Sequence, residues 1–154
     1  MIFVTIGTAP FDRFIRIVDE VAPQLGEEII AQVHQLGFEA RNIKTVNFLA
    51  PDEFNELFEK ARLIVSHAGM GTILSALQQK KPIIIFPRIA ALGEHRNEHQ
   101  LATARKFKEL GSVYVAMNEE EQKALLLRKD LKPLAEIGEY ASQSLIDSIE
   151  EFIG

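Results

Sequence analysis

The residue types and spacings that could do chemistry fall into two short segments. The first is Ser66-His67-Ala68-Gly69-Met70-Gly71-Thr72. Two glycines one residue apart let a backbone turn tightly, and a helix beginning there aims its first amides at an anion. Thr72 adds a hydroxyl near that helix start, so a diphosphate is the natural occupant. A plain strand-to-helix turn capped by Thr72 would carry the same pattern. His67, at the strand end, could donate to a phosphate, act as a base, or simply hold a structural hydrogen bond. The segment is neither GxGxxG nor GxxxxGK[ST], which excludes the dinucleotide fingerprint and the Walker loop.

The second segment is His95-Arg96-Asn97-Glu98-His99-Gln100. Its HxxEH spacing matches inverted zinc proteases, in which His95 and His99 would share a helix face with Glu98 as the base. The competing use is polar recognition, because His95, Asn97, His99 and Gln100 offer donors and acceptors to sugar hydroxyls or phosphate oxygens. A solvated helix start with no ligand is a third reading. Gly7-Thr8 also follows an apolar run, where a second loop could add amides to the same anion. Glu119-Glu120-Glu121 suits the first turn of a helix, where the macrodipole favours acids. Lys80-Lys81 suits a helix end. His34 belongs to no constellation.

These segments need a scaffold, and the hydrophobic pattern predicts one. Ile2–Ile6, Glu28–His34, Lys44–Phe48, Leu63–Val65, Pro82–Phe86 and Val113–Val115 read as strands. Between them lie helix-period stretches: Phe11–Leu25, from Pro51 through Ala61, Thr72–Gln79, and from the polar loop 88–96 to about Leu110. Helices follow to the end, including an amphipathic one over about 134–152. Continuous apolar strands alternating with helices predict a parallel sheet covered on both faces. Such a sheet binds ligands at the carboxyl ends of its strands, which is where both segments and Gly7-Thr8 fall.

The 154 residues fit a single domain, with 47% hydrophobic and 25% charged residues. There are no cysteines, so disulfides, thiolate metal sites and cysteine nucleophiles are excluded. A net charge of −5 argues against broad nucleic-acid binding. The first residues lack a basic n-region, and no apolar run reaches roughly 18 residues, so the expected location is the cytoplasm.

Taken together, Ser66 through Leu74, Lys81-Pro82-Ile83 and Glu94 through Gln100 resemble the C-terminal half of GT-B glycosyltransferases. The nearer likeness is to the MurG-like family 28 C-terminal domain, and above all to its small stand-alone versions. Those are the small subunits of bacterial capsule and exopolysaccharide transferases and of the eukaryotic dolichyl-diphosphate N-acetylglucosaminyltransferase. Phe3 through Thr8 with Phe11-Asp12 resembles the same group, and the likeness covers residues 1 to about 115. It implies a Rossmann-like sheet with helices on both faces, about half of a GT-B enzyme, binding a UDP-sugar.

The resemblance also implies roles. Backbone at Phe48-Leu49 would hold uracil, and Gly69, Met70, Gly71 and Thr72 the diphosphate. Glu94, His95, Asn97, His99 and Gln100 would meet the donor sugar and phosphate. Ser75 stands where MurG-like domains carry an acid for the ribose, so a serine hydroxyl replaces a carboxylate there. The implied chemistry is inverting transfer without metal or cofactor, to a polyprenyl-diphosphate-linked saccharide. The acceptor and the base would come from a membrane-anchored subunit resembling the missing N-terminal half, holding this chain at the inner face of the membrane. The amphipathic C-terminal helix would pack on this chain or on that partner. Two other classes stay open: a non-catalytic nucleotide-binding scaffold that activates a membrane partner, and the zinc hydrolase.

Overall fold

A computed structural model of the protein describes residues 1–95 and 97–133. The helix expected over about 134–152 lies outside them. The apolar runs form six strands, β1 (Ile2–Thr5), β2 (Ile29–Gln32), β3 (Lys44–Val46), β4 (Leu63–His67), β5 (Ile83–Phe86) and β6 (Tyr114–Val115). They pair in parallel in the order β3-β2-β1-β4-β5-β6, with Ile2 beside both Ile29 and Leu63.

Both faces of the central strands are buried, which is why their sequences are continuously apolar rather than alternating. Val4, Val65, Ile84 and Phe86 enter one core with α1 (Asp12–Val21) and α5 (Glu119–Leu127). Phe3, Ile64, Ile83 and Ile85 enter the other with α2 (Pro51–Lys60), α3 (Met70–Gln78) and α4 (His99–Leu110). In the first core Phe86 stacks on Phe11 and Phe14, with ring centroids 5.7 and 5.9 Å away. In the second, Phe3 meets Phe54 edge-on at 5.2 Å.

The strand order fixes where a ligand can go. From β1 the chain steps outward to β2 and β3, then returns to β4 and builds the other way. The connections leaving β1 and β4 therefore reach opposite faces, α1 on one and α3 on the other. A crevice opens between them at the carboxyl edge.

Element ends differ from the sequence expectation in ways that bear on this edge. β2 stops at Gln32, because His34 takes the left-handed region with φ +59°. β3 stops at Val46, which leaves Phe48 in a loop. α3 begins at Met70, two residues before Thr72, so Met70 and Gly71 are helical and do not form the turn. Lys81 does more than end α3: its Nζ donates to the carbonyls of Glu59 and Ala61 and so caps α2. Among the described residues no helix is long and apolar enough to cross a membrane.

Candidate functional site

At the crevice the imidazole of His67 is the meeting point of three segments. Gly7 closes β1 with φ +79°, and a Cβ added there would lie 2.9 Å from His67 Cε1. A Cβ on Gly69 would lie 2.3 Å from the same atom. Real Cβ contacts are longer, so both glycines are required by the close approach of the ring. On its third side, Gln100 Nε2 lies 3.1 Å from His67 Nδ1. Burial depresses the His67 pKa to about 4, helped by the positive charge of Arg88 and by His95. His67 is therefore neutral at physiological pH.

Gly69 is the N-cap of α3 and brings no side chain to the cap. The first intrahelical bond runs from Ile73 N–H to Gly69 O, at 3.2 Å. The amides of Met70, Gly71 and Thr72 consequently have no partner among the described residues. The Thr72 hydroxyl does not cap the turn either. Gly71 is exposed, and a Cβ there would meet open space.

Arg88 pins the loop 6–10 that carries Gly7 and Thr8. It is 2% exposed. Its guanidinium donates to Pro10 O at 2.7 Å, to Ala9 O at 2.8 Å and to Ile6 O, and lies 4.7 Å from the Phe11 ring centroid. Burial lowers its pKa while Glu94 opposes the shift. Glu94, expected at the donor sugar, is engaged elsewhere. Arg13 grips its two oxygens at 2.9 and 2.8 Å, and Ile89 N–H donates to it at 3.1 Å. This brace holds the loop between β5 and α4.

Asn97 turns its Oδ1 onto His99 N–H at 2.9 Å and so shapes the start of α4. His95 precedes that helix and His99 is its first residue. The shared helix face that HxxEH zinc binding needs is therefore not formed. Among the described residues no group of three or more His, Asp or Glu could hold a metal. Gln100, expected to face the sugar, is only 7% exposed, and its Oε1 accepts from Arg88 N–H at 3.0 Å.

Phe48 is 81% exposed, and Leu49 packs on the second core. Gln32 ties their loop to the glycine loop, donating to Gly7 O at 3.2 Å and to Asn47 O at 3.4 Å. Thr8 is exposed at the same edge, and Ser75 is half-buried on α3. A cleft of about 1020 Å³ adjoins this edge, lined by Pro10, Asp12, Phe38, Thr45 and Asn47 among others. Arg88, Arg13 and Gln32 were not expected as site residues. The one available signal was a lone arginine two residues after the apolar run of β5.

Free helix amides and a neutral histidine at one crevice, with an exposed ring on the same edge of the sheet, suit an anion carrying a flat base. The model of the "Glycosyltransferase family 28 C-terminal domain" matches residues 1–149. The chain belongs to this family. Among curated relatives, this family 28 domain is 33% identical over 92 residues to the UDP-N-acetylglucosamine transferase subunit ALG13 of Eremothecium gossypii, covering 59% of the chain and 43% of that protein. The Homo sapiens protein of the same name is 28% identical over 124 residues, covering 73% of the chain and 11% of its own length. The chain thus spans less than half the length of these relatives. Among solved structures, the NMR solution structure of ALG13 superposes with a TM-score of 0.62 at 22% identity, covering 94% of this chain and 93% of that one. At that identity the likeness speaks to the fold alone.

Proposed function

We propose that this family 28 domain is the donor-binding subunit of a two-component glycosyltransferase that takes a UDP-sugar. The observation that carries the reading is the row of unpartnered amides at Met70, Gly71 and Thr72, opening into the crevice beside neutral His67. There the helix dipole and the N–H groups meet the diphosphate. Phe48, tied by Gln32 to the same edge, offers an exposed ring for the uracil beside the backbone of Leu49. His95, Asn97 and His99 line the sugar end. The relatives' names favour N-acetylglucosamine as the donor sugar over the galactosyl and glucuronosyl donors of capsule and exopolysaccharide enzymes.

In the reaction, an acceptor hydroxyl oxygen bonds to the anomeric carbon from the face opposite the diphosphate. The bond from that carbon to the β-phosphate oxygen breaks, and UDP departs with the electron pair. Charge grows on the phosphate as the bond breaks, where the amides already point. The acceptor proton passes to a base on a membrane-anchored partner, which also presents a polyprenyl-diphosphate-linked saccharide. The word "subunit" in the relatives' names supports an assembly of this kind. Nothing in this sequence of steps calls for a metal or a cofactor.

Calorimetric titration with UDP, UDP-N-acetylglucosamine, UDP-galactose and UDP-glucuronate tests the reading, followed by transfer assays with the partner. UDP and the N-acetylglucosamine donor should compete for one site. No binding of any UDP compound, alone or in the complex, would sink the proposal. Binding without dependence of transfer on Gly71 would favour the scaffold instead.

A further inference from the structure

The hydrogen bonds around Gln100 have a consequence for His67. Arg88 N–H can only donate, and it points at one end of the Gln100 amide from 3.0 Å. That end must be the oxygen. The other end, facing His67 Nδ1 at 3.1 Å, is then the NH2 group, which can only donate. Nδ1 must accept, so the imidazole proton lies on Nε2. Gln100 is buried, so water does not compete for either end of its amide.

We propose that Gln100 is a positioning residue that locks His67 as the Nε2–H tautomer, making it a hydrogen-bond donor at the diphosphate and not a proton acceptor. The functional half of this inference rests on the donor-binding reading above. The structural half does not. Nε2 is on the side of the ring flanked by the glycines, 3.0 Å from a Cβ built on Gly7 and 2.6 Å from one on Gly69. A proton there can meet a phosphate oxygen. The same proton bars Nε2 from taking the acceptor's hydrogen, which leaves the base to the partner. Protonating Nδ1 as well would set N–H against NH2, so the lock opposes the charged ring in the same direction as burial does.

The test uses the protein without nucleotide. Two-bond 15N–1H correlation spectra of the full chain with 15N-labelled histidine identify which ring nitrogen carries the proton. Wild type should show His67 as Nε2–H at neutral pH, and an Nδ1–H signal would overturn the inference. Gln100→Glu keeps an acceptor for Arg88 N–H but presents an acceptor to Nδ1. It should therefore move the proton to Nδ1 and raise the His67 pKa, whereas a purely packing role would leave both unchanged. Should that variant not fold, the wild-type spectrum still decides. UDP affinity should drop about tenfold to hundredfold in Gln100→Glu, the scale of one hydrogen bond to a charged group. Unchanged affinity with a shifted tautomer would overturn the donor role of His67. Absence of UDP binding in wild type would remove the donor-binding reading and leave the tautomer result standing.

Discussion

His67 couples the site to the stability of the fold. A histidine in the unfolded chain takes its proton near pH 6.5, but in the native crevice only at about 4. Between those values the unfolded state binds a proton that the native state refuses, so acid favours unfolding. Stability is therefore intact above pH 6.5 and declines as pH falls to about 4, by up to about 3 kcal/mol from this group. The guanidinium of Arg88, beside the ring, pushes the same way. Urea unfolding across that range should show a shallower loss for His67→Gln than for wild type. Equal slopes would mean the ring is protonated in the fold. The presence of His67 beside a glycine turn was legible in the sequence. Its neutrality was not, since that depends on burial in the folded crevice and on Arg88, which lies 21 residues away along the chain. The engagement of Glu94 was hidden for the same reason: nothing local announces that Arg13, 81 residues away, holds it.

Among the elements, the start of α3 and the loop after β1 do the positioning, and each can be tested separately. The two glycines of the β4–α3 junction look alike in sequence and differ in space. Gly69→Ala drives a methyl group into the imidazole and should cost about 1–3 kcal/mol while weakening UDP binding. Gly71→Ala meets open space inside a helix and should stabilise by about 0.5–1 kcal/mol. On the donor-binding reading it should nevertheless weaken UDP binding, because its methyl group would stand where the diphosphate is proposed to sit. Thermal melts paired with UDP titrations separate the two effects, and a Gly71→Ala protein that binds UDP normally contradicts the diphosphate assignment. On the other side of the crevice, Arg88→Met strips the donors from the carbonyls of Ile6, Ala9 and Pro10. Of these three only the Ile6 carbonyl is buried, while Ala9 and Pro10 are exposed, so the loss should be about 1–3 kcal/mol in a denaturant melt. Arg88→Lys should recover only part of it, because an ammonium lacks the guanidinium fork. A melt unchanged by Arg88→Met would show that this clamp does not hold the loop. The central strands were legible because burial on both faces leaves an apolar run. Their ends were not, because a left-handed residue such as His34 or a register limit at Val46 stops pairing without any apolar signal.

For the whole molecule, one sheet separates two cores and places every loop of the candidate site along one edge. The loops after β1, β4 and β5 are cross-linked there by Arg88, Gln100 and the His67 ring. A nucleotide that bridges these loops should therefore quiet them together. A ligand held by α3 alone would protect only its first turn. Hydrogen exchange with and without UDP distinguishes these cases, because local opening is read amide by amide. Bound UDP should slow exchange at Gly7 and Thr8, across 69–74 and across 88–95. The opposite edge of the sheet, where Arg62 pairs with Glu27 at 2.6 Å, provides the internal control and should exchange at the same rate in both states. Saturating UDP at 100 times its Kd adds about 2.7 kcal/mol to global stability, which would slow the most protected amides everywhere. The comparison must therefore rest on amides that exchange by local opening. Protection confined to 69–74, with the loop after β1 unchanged, would mean that the crevice does not close around the nucleotide as one unit and that the Arg88 clamp serves stability alone.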